Sequence, residues 1–318
     1  MGTILNQAFW SGKRVLVTGG AGFIGSYVLD LLSRECGVAP GAIRVPRSRD
    51  CDMRLVDNCR RAADGCDIVV HLAAVTGGIG FSRQYPASQY YDSTRIDLNM
   101  IEAAREAGAA KVIALGNLFA YSGDAEMPLR EERLFDGLPT DAHRGVGWMK
   151  RNLALVSDLN WRQHRFPVVV LYAANAYGPR DSIDPKHAHV IPATIMKCFR
   201  QDSLEVWGDG SPTRDFLFVE DLARYILLAC ERIEEGAYMN VGSGSEISVR
   251  ELIDLIVRHA GFQGPVSFDA SKGGGDARRC ASTGRADTLL GAMPRVPMDE
   301  GIARTVAWYR EQHLAGRF

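Results

Sequence analysis

The chain is expected to fold as an α/β protein: a doubly wound parallel sheet carrying a smaller C-terminal lobe. Three observations lead there. Short β-branched runs alternate with amphipathic stretches from residue 15 to about residue 172, the pattern of a parallel sheet with helices on both faces. A glycine-rich turn joins the first of these runs to an apolar, helix-forming segment. Beyond Gly178 the chain changes character, with Pro179, Pro185, Pro192 and Pro212 punctuating shorter elements.

The elements follow in order. Val15–Thr18 is the first strand, and the helix after it places Tyr27, Val28, Leu31 and Leu32 at helical spacing. Ala42–Val45, Asp67–Leu72, Lys111–Leu115 and Val168–Tyr172 read as the next strands, separated by helical stretches such as Thr94–Ala107 and Leu153–His164. Phe216–Val219 and Met239–Val241 are strand-like and are expected to return to the main sheet. The expected division is residues 1–175 plus about 216–245 for the sheet domain, and about 176–215 plus 246–318 for a lobe over the carboxyl edge of the strands, where such folds bind ligands. There is no internal repeat or low-complexity segment, and Gly273-Gly274-Gly275 reads as a local loop.

Composition excludes several classes. At 318 residues with 46% hydrophobic and 24% charged residues, the chain has the make-up of an ordered globular protein. A net charge of −1 gives no global field for nucleic acid or anionic lipid. No apolar run reaches membrane-spanning length, no basic-then-apolar leader opens the chain, and Asn6 stands where a myristoylation signal needs Ser or Thr. Seven cysteines without a CxxC pair read as free thiols of a reducing compartment, so a cytoplasmic location is expected.

The turn after the first strand carries the chemistry. Gly20-x-Gly22-x-x-Gly25 and the overlapping Gly19-x-x-Gly22-x-x-Gly25, with Phe23 and Ile24 opening the helix, fit dinucleotide-binding loops. Glycine permits the tight strand-to-helix turn and close backbone approach to a pyrophosphate, while the helix N-terminus faces its charge. A nicotinamide dinucleotide on a Rossmann-type sheet is the expected cofactor. An acid some twenty residues past the loop would bond an unphosphorylated ribose, but Val45-Pro46-Arg47-Ser48-Arg49 has none before Asp50. Arg47 and Arg49 match a 2′-phosphate instead, which favours NADP(H) over NAD(H). His187 and His189 stand two apart, but no carboxylate–histidine set accompanies them, so no metal is expected.

Longer motifs point to a family. His71-Leu72-Ala73-Ala74 with Gly77-Gly78-Ile79, Tyr85-Pro86-Ala87, Asn175-Ala176-Tyr177-Gly178-Pro179, His189-Val190-Ile191-Pro192-Ala193, Val206-Trp207-Gly208, Arg214-Asp215-Phe216 and Asn240-Val241-Gly242 run across nearly the whole chain. Together they resemble the extended short-chain dehydrogenases/reductases that act on nucleotide sugars, and within them the GDP-L-fucose synthase branch. The resemblance implies a nucleotide-sugar epimerase or ketoreductase, and a homodimer through a four-helix bundle of Thr94–Ala107 and Leu153–His164, with Ile96, Met100, Leu155 and Leu159 at helical spacing. It places Leu72, Ala73 and Ala74 along the cofactor and Asp52-Met53 at its adenine. It assigns Arg214 to the diphosphate, Lys197 to a further phosphate contact, Trp207 to an apolar pocket wall, and Asn175, Val190 and Arg278 to the nucleotide sugar.

The catalytic positions depart from that family, which uses a Ser and a Tyr-x-x-x-Lys pair. Lys150 is present to anchor the nicotinamide ribose, but the Tyr position is Val146 and the Ser position is Asn117. The branch's acid/base Cys is Phe119, and its His partner is His189. Asn117 can donate a hydrogen bond yet cannot relay a proton. Candidate replacements for the lost phenol are His189 first, then Tyr121 and His143. Two readings follow: an NAD(P)-dependent enzyme on a GDP-linked sugar with a non-standard proton path, or a catalytically silent homologue that binds cofactor and nucleotide sugar. A 4,6-dehydratase is disfavoured, because Leu118-Phe119 stands where such enzymes carry an Asp-Glu pair.

Overall fold

A computed structural model describes residues 4–75, 77, 79–184, 188–272 and 276–318. In chain order the strands are β1 (Val15–Thr18), β2 (Ile43–Arg44), β3 (Ile68–His71), β4 (Lys111–Asn117), β5 (Val168–Ala173), β6 (Asn175–Tyr177), β7 (Leu204–Trp207), β8 (Thr213–Arg214), β9 (Phe216–Phe218), β10 (Ala237–Val241), β11 (Ile247–Ser248), β12 (Val266–Asp269) and β13 (Arg278–Arg279). The helices are α1 (Gln7–Trp10), α2 (Phe23–Arg34), α3 (Val56–Ala63), α4 (Ile79–Gln84), α5 (Pro86–Glu106), α6 (Arg144–His164), α7 (Val190–Arg200), α8 (Val219–Arg232), α9 (Val249–Ala260), α10 (Gly284–Leu290) and α11 (Met298–Leu314).

Six strands form one parallel sheet in the order β10-β5-β4-β3-β1-β2. Its central strands are buried on both faces: β1, β3 and β5 have no residue open to solvent, as near-continuous runs of Val, Ile and Leu require. The chain leaves β1 for β2 on one side and returns to β3 on the other, so the crevice at the carboxyl ends of β1 and β3 is a topological switch point. The glycine turn lies there.

Two expectations need correction. Phe216–Val219 does not rejoin the main sheet: β9 pairs in parallel with β6, and Val219 already starts α8. The reason is a break after β5, where the Ala174 N–H bonds to the Val241 carbonyl and the chain then turns away. Met239–Val241 does return, within β10. The helical stretches are also longer than read, since α5 begins at Pro86, a favourable first-turn residue, and α6 at Arg144. Ile96 and Met100 face the interior rather than an outer seam.

Outside the main sheet, Tyr177, Ile191, Ile195, Phe216, Phe218, Leu252, Ile256, Ile302, Val306 and Tyr309 form a second apolar cluster from β6, α7, β9, α9 and α11. All seven cysteines are free thiols; Cys51 and Cys198 are half-buried and the others buried. Among the described residues no helix is long and apolar enough to cross a membrane. The Gly273–Gly275 loop, His187 and Gly78 lie outside the described residues.

Candidate active site

The turn after β1 is built so that only glycine fits. Gly19 has φ +67°, and a Cβ there would lie 2.9 Å from the backbone of Leu72 and Ala73. A Cβ at Gly25 would sit 2.3 Å from the Gly19 carbonyl oxygen, so the first turn of α2 can close on the loop only without a side chain. Gly22 caps α2 with extended backbone and offers no side chain to its free N–H groups. Phe23 and Ile24 open the helix behind it. This is a bare helix N-terminus at the switch point, and it fits a pyrophosphate.

Beyond β2, Arg47 and Arg49 are both exposed, and Arg49 is paired with Asp50 at 3.0 Å. Asp52 is gripped by Arg54, which holds its carboxyl below the usual range. Met53 is buried and its carbonyl accepts from Asn99. The stretch after β3, Leu72-Ala73-Ala74, is held close to the loop, since the Leu72 and Ala73 N–H groups both donate to Thr18 Oγ1.

Lys150 lies one turn after Val146 on α6 and is buried, as is Val146. The helix is pinned from both sides. The Tyr172 hydroxyl donates to the Lys150 carbonyl at 2.8 Å, and buried Arg151 donates to the carbonyls of Ala120, Gly137 and Asp136. Gly147 allows close approach, because a Cβ there would lie 2.6 Å from the Phe119 carbonyl oxygen. Facing the Lys150 ammonium, 4.0 Å away, is Asp97 of α5. The sequence reading gave no site role to Asp97, to its partner His71 or to Thr18, which His71 bonds in turn. Their signal was faint: Asp97 falls on the stripe of α5 that buries Ser93, Ile96, Met100 and Ala104, where a charge is out of place.

Asn117 ends β4 and caps the following turn, its side-chain Oδ1 accepting from the Phe119 N–H at 3.1 Å. The Phe119 ring stacks on His143, centroids 3.8 Å apart and planes 11° from parallel. His143 and Val146 share a cavity of about 150 Å³ with Ser82, Arg83, Gln89 and Arg144. Thus the His143 imidazole lies against the ring at the position of the family's Cys and shares a cavity with the residue at the position of its Tyr. Burial lowers the proton affinity of His143 below the ordinary value; Arg279, Arg83 and Arg214 push the same way, while Asp276 opposes them.

The other two acid/base candidates are placed differently. Tyr121 is fully buried, with its hydroxyl donating to Asn240 Oδ1 at 2.7 Å, and burial drives its pKa far up. It is a packing residue, as the apolar core around it dictates. His189 caps the N-terminus of α7 with its side chain 63% exposed, bonded to buried Asp181 at 3.4 Å, whose carboxylate raises its pKa.

On the substrate side, Arg214 is half-buried and forms no ion pair among the described residues, and its Nη1 donates to the Thr213 carbonyl. Arg279 beside it is buried, bonded to Asp276 and to the Leu118 carbonyl, so β13 is tied to the end of β4. Asn175 donates to the Asp215 carbonyl. Three expected contacts are not gathered here. Trp207 is 69% exposed, because β7 turns alternate residues to solvent. Lys197 donates to the Glu205 carbonyl, and Arg278 is exposed in an ion pair with Glu246. Val190 is exposed at the start of α7, beside His189.

Comparison with known proteins agrees with this geometry. The NAD dependent epimerase/dehydratase family matches residues 15–242. The Probable GDP-L-fucose synthase 1 of Oryza sativa subsp. japonica is 30% identical over 312 residues, spanning 96% of this chain and 94% of its own. The GDP-L-fucose synthase of Escherichia coli (strain K12) is 30% identical over 95% of this chain and 98% of its own. Among solved structures, a GDP-L-fucose synthetase from Naegleria fowleri bound to NADP superposes with a TM-score of 0.86 at 24% identity, covering 100% of this chain and 97% of its own.

Proposed function

This chain belongs to the NAD dependent epimerase/dehydratase family, and we propose that within it the protein is an NADP(H)-dependent reductase or epimerase of a GDP-linked sugar that moves its proton through His143. When bound, the cofactor supplies the hydride. The chain's own residues do the rest. The Gly19–Gly25 turn seats the pyrophosphate, Lys150 meets the nicotinamide ribose, and Arg214, which forms no ion pair among the described residues, meets the diphosphate.

The observation that carries the proton path is the shared cavity of His143 and Val146 beside Phe119. Val146 has no proton to give. His143 reaches the same space, and its lowered pKa makes it a base at neutral pH and an acid only in more acidic solution. In the reducing direction the imidazolium is needed, so kcat should fall as pH rises through a value below the ordinary 6.5. In the oxidising direction the rate should rise through the same value.

The test is NADPH consumption with a GDP-linked 4-keto sugar, measured against pH for the parent and His143→Gln. Loss of about a hundred- to ten-thousand-fold in rate, with loss of the pH limb, is expected. If His143→Gln is fully active and His189→Asn is not, the proton path runs through His189 instead. The substitutions Asn117, Phe119 and Val146 favour a second reading, a catalytically silent homologue. NADPH and GDP-sugar binding without any turnover would establish that one.

A further inference from the structure

We infer that Asp97 is a positioning residue for Lys150, holding the charge and place of the ammonium where no phenol is present at position 146. The inference rests on the reading that Lys150 meets the nicotinamide ribose. It starts from the direction of the hydrogen bonds around Thr18. Thr18 Oγ1 accepts from the N–H groups of Leu72 at 3.1 Å and Ala73 at 3.2 Å, which fills both lone pairs. Its own proton therefore points to His71 Nδ1, 2.8 Å away. His71 then carries its proton on Nε2 and donates it to Asp97 Oδ1 at 3.1 Å.

Asp97 is thus an acceptor on one oxygen, while Oδ2 is buried with no hydrogen-bond partner among the described residues. Lys150 Nζ is 4.0 Å from that oxygen. Thr18, His71, Asp97 and Lys150 are 0%, 2%, 3% and 7% exposed, so no water-filled surround supports either charge. A carboxylate and an ammonium buried this deeply are each costly to hold alone, and their proximity offsets part of that cost. Val146 contributes neither charge nor hydrogen bond. No hydrogen bond from Nζ is formed among the described residues, so its N–H groups are open to ribose hydroxyls while Asp97 balances the charge from behind. The bonded series begins at Thr18, directly before Gly19. One buried network therefore joins the loop that seats the pyrophosphate to the lysine that meets the ribose.

The test compares Asp97→Asn, Lys150→Met and the double variant, titrating NADPH by fluorescence and GDP by calorimetry. Asp97→Asn should weaken NADPH binding by about tenfold or more and leave GDP affinity within about twofold. The double variant should bind NADPH no worse than Lys150→Met alone, because Asp97 acts through that lysine. Unchanged NADPH affinity in Asp97→Asn, equal losses for NADPH and GDP, or additive losses in the double variant overturn the inference. If Asp97→Asn alone fails to fold, thermal unfolding of the double variant decides: recovery with both charges removed supports the pairing, and failure to recover overturns it. If Lys150→Met binds NADPH like the parent, the ribose reading fails and the inference with it; non-additive thermal unfolding would then leave only a structural ion pair.

Discussion

Arg47 and Arg49 stand on the turn that follows β2, with no acid between them and the end of that strand. The Arg49–Asp50 pair is exposed on both sides and so contributes little, leaving both guanidinium groups available to a ligand phosphate. The next acid along the chain, Asp52, is committed to Arg54. The parent protein should therefore bind NADPH more tightly than NADH by about tenfold or more, and replacing both arginines with Ala should erase the difference. Equal affinities in the parent would remove the role given to them. At this scale the departures at Asn117, Phe119 and Val146 were readable once the family resemblance supplied the motifs, with Lys150 setting the register of Val146 and Tyr121 that of Asn117 and Phe119. The pairing of Asp97 with Lys150 was not, because 53 positions separate the two and only the packing of α5 against α6 brings them together.

The element that does most for function is the β1–α2 turn. Its geometry depends on backbone-to-backbone contacts that cannot yield, since a Cβ at Gly25 would meet the Gly19 carbonyl oxygen and the Gly20 Cα, 2.5 Å away. Gly25→Ala should cost about 1–3 kcal/mol in urea unfolding and abolish NADPH binding. Gly41→Ala, where nothing lies within 4 Å, should leave stability within about 0.5 kcal/mol and binding intact. A Gly25→Ala protein that binds NADPH normally would show that the turn is not the pyrophosphate seat. Here sequence and structure coincide, because the glycine spacing is itself the record of these close approaches. Phe216–Phe218 is the contrary case: its strand character was legible, but which sheet it joins was set by where the chain breaks after β5.

At the scale of the whole molecule, the exposed apolar side chains bear on assembly. The face of α5 and α6 turned away from the core carries Tyr91, Leu98, Trp148, Leu155 and Leu159, each more than 40% exposed. That many large apolar side chains on two packed helices match the seam of a four-helix bundle between two copies. A homodimer is expected, and sedimentation at micromolar concentration should find it. Leu155→Glu with Leu159→Glu should dissociate it without loss of the fold, and a parent protein that sediments only as a monomer would refute the assignment. Ile96 and Met100, which share the helical spacing of this stripe, are buried within one chain. Periodicity identifies an apolar face but not which neighbour covers it.

What the sequence determined by itself was local or spaced by a fixed geometry. The alternation of strands and helices, the glycine turn, the register of Lys150 against Val146 and the exposed arginines after β2 all follow from short-range rules of backbone shape and charge. Only the tertiary structure decided how distant residues meet. It put Tyr121 in the core against Asn240, left Trp207 and Arg278 in solvent, stacked His143 on Phe119, and buried Asp97 behind Lys150. Those outcomes depend on which faces of α5, α6 and β4 pack together, and a side chain's proton affinity depends on the neighbours that packing supplies.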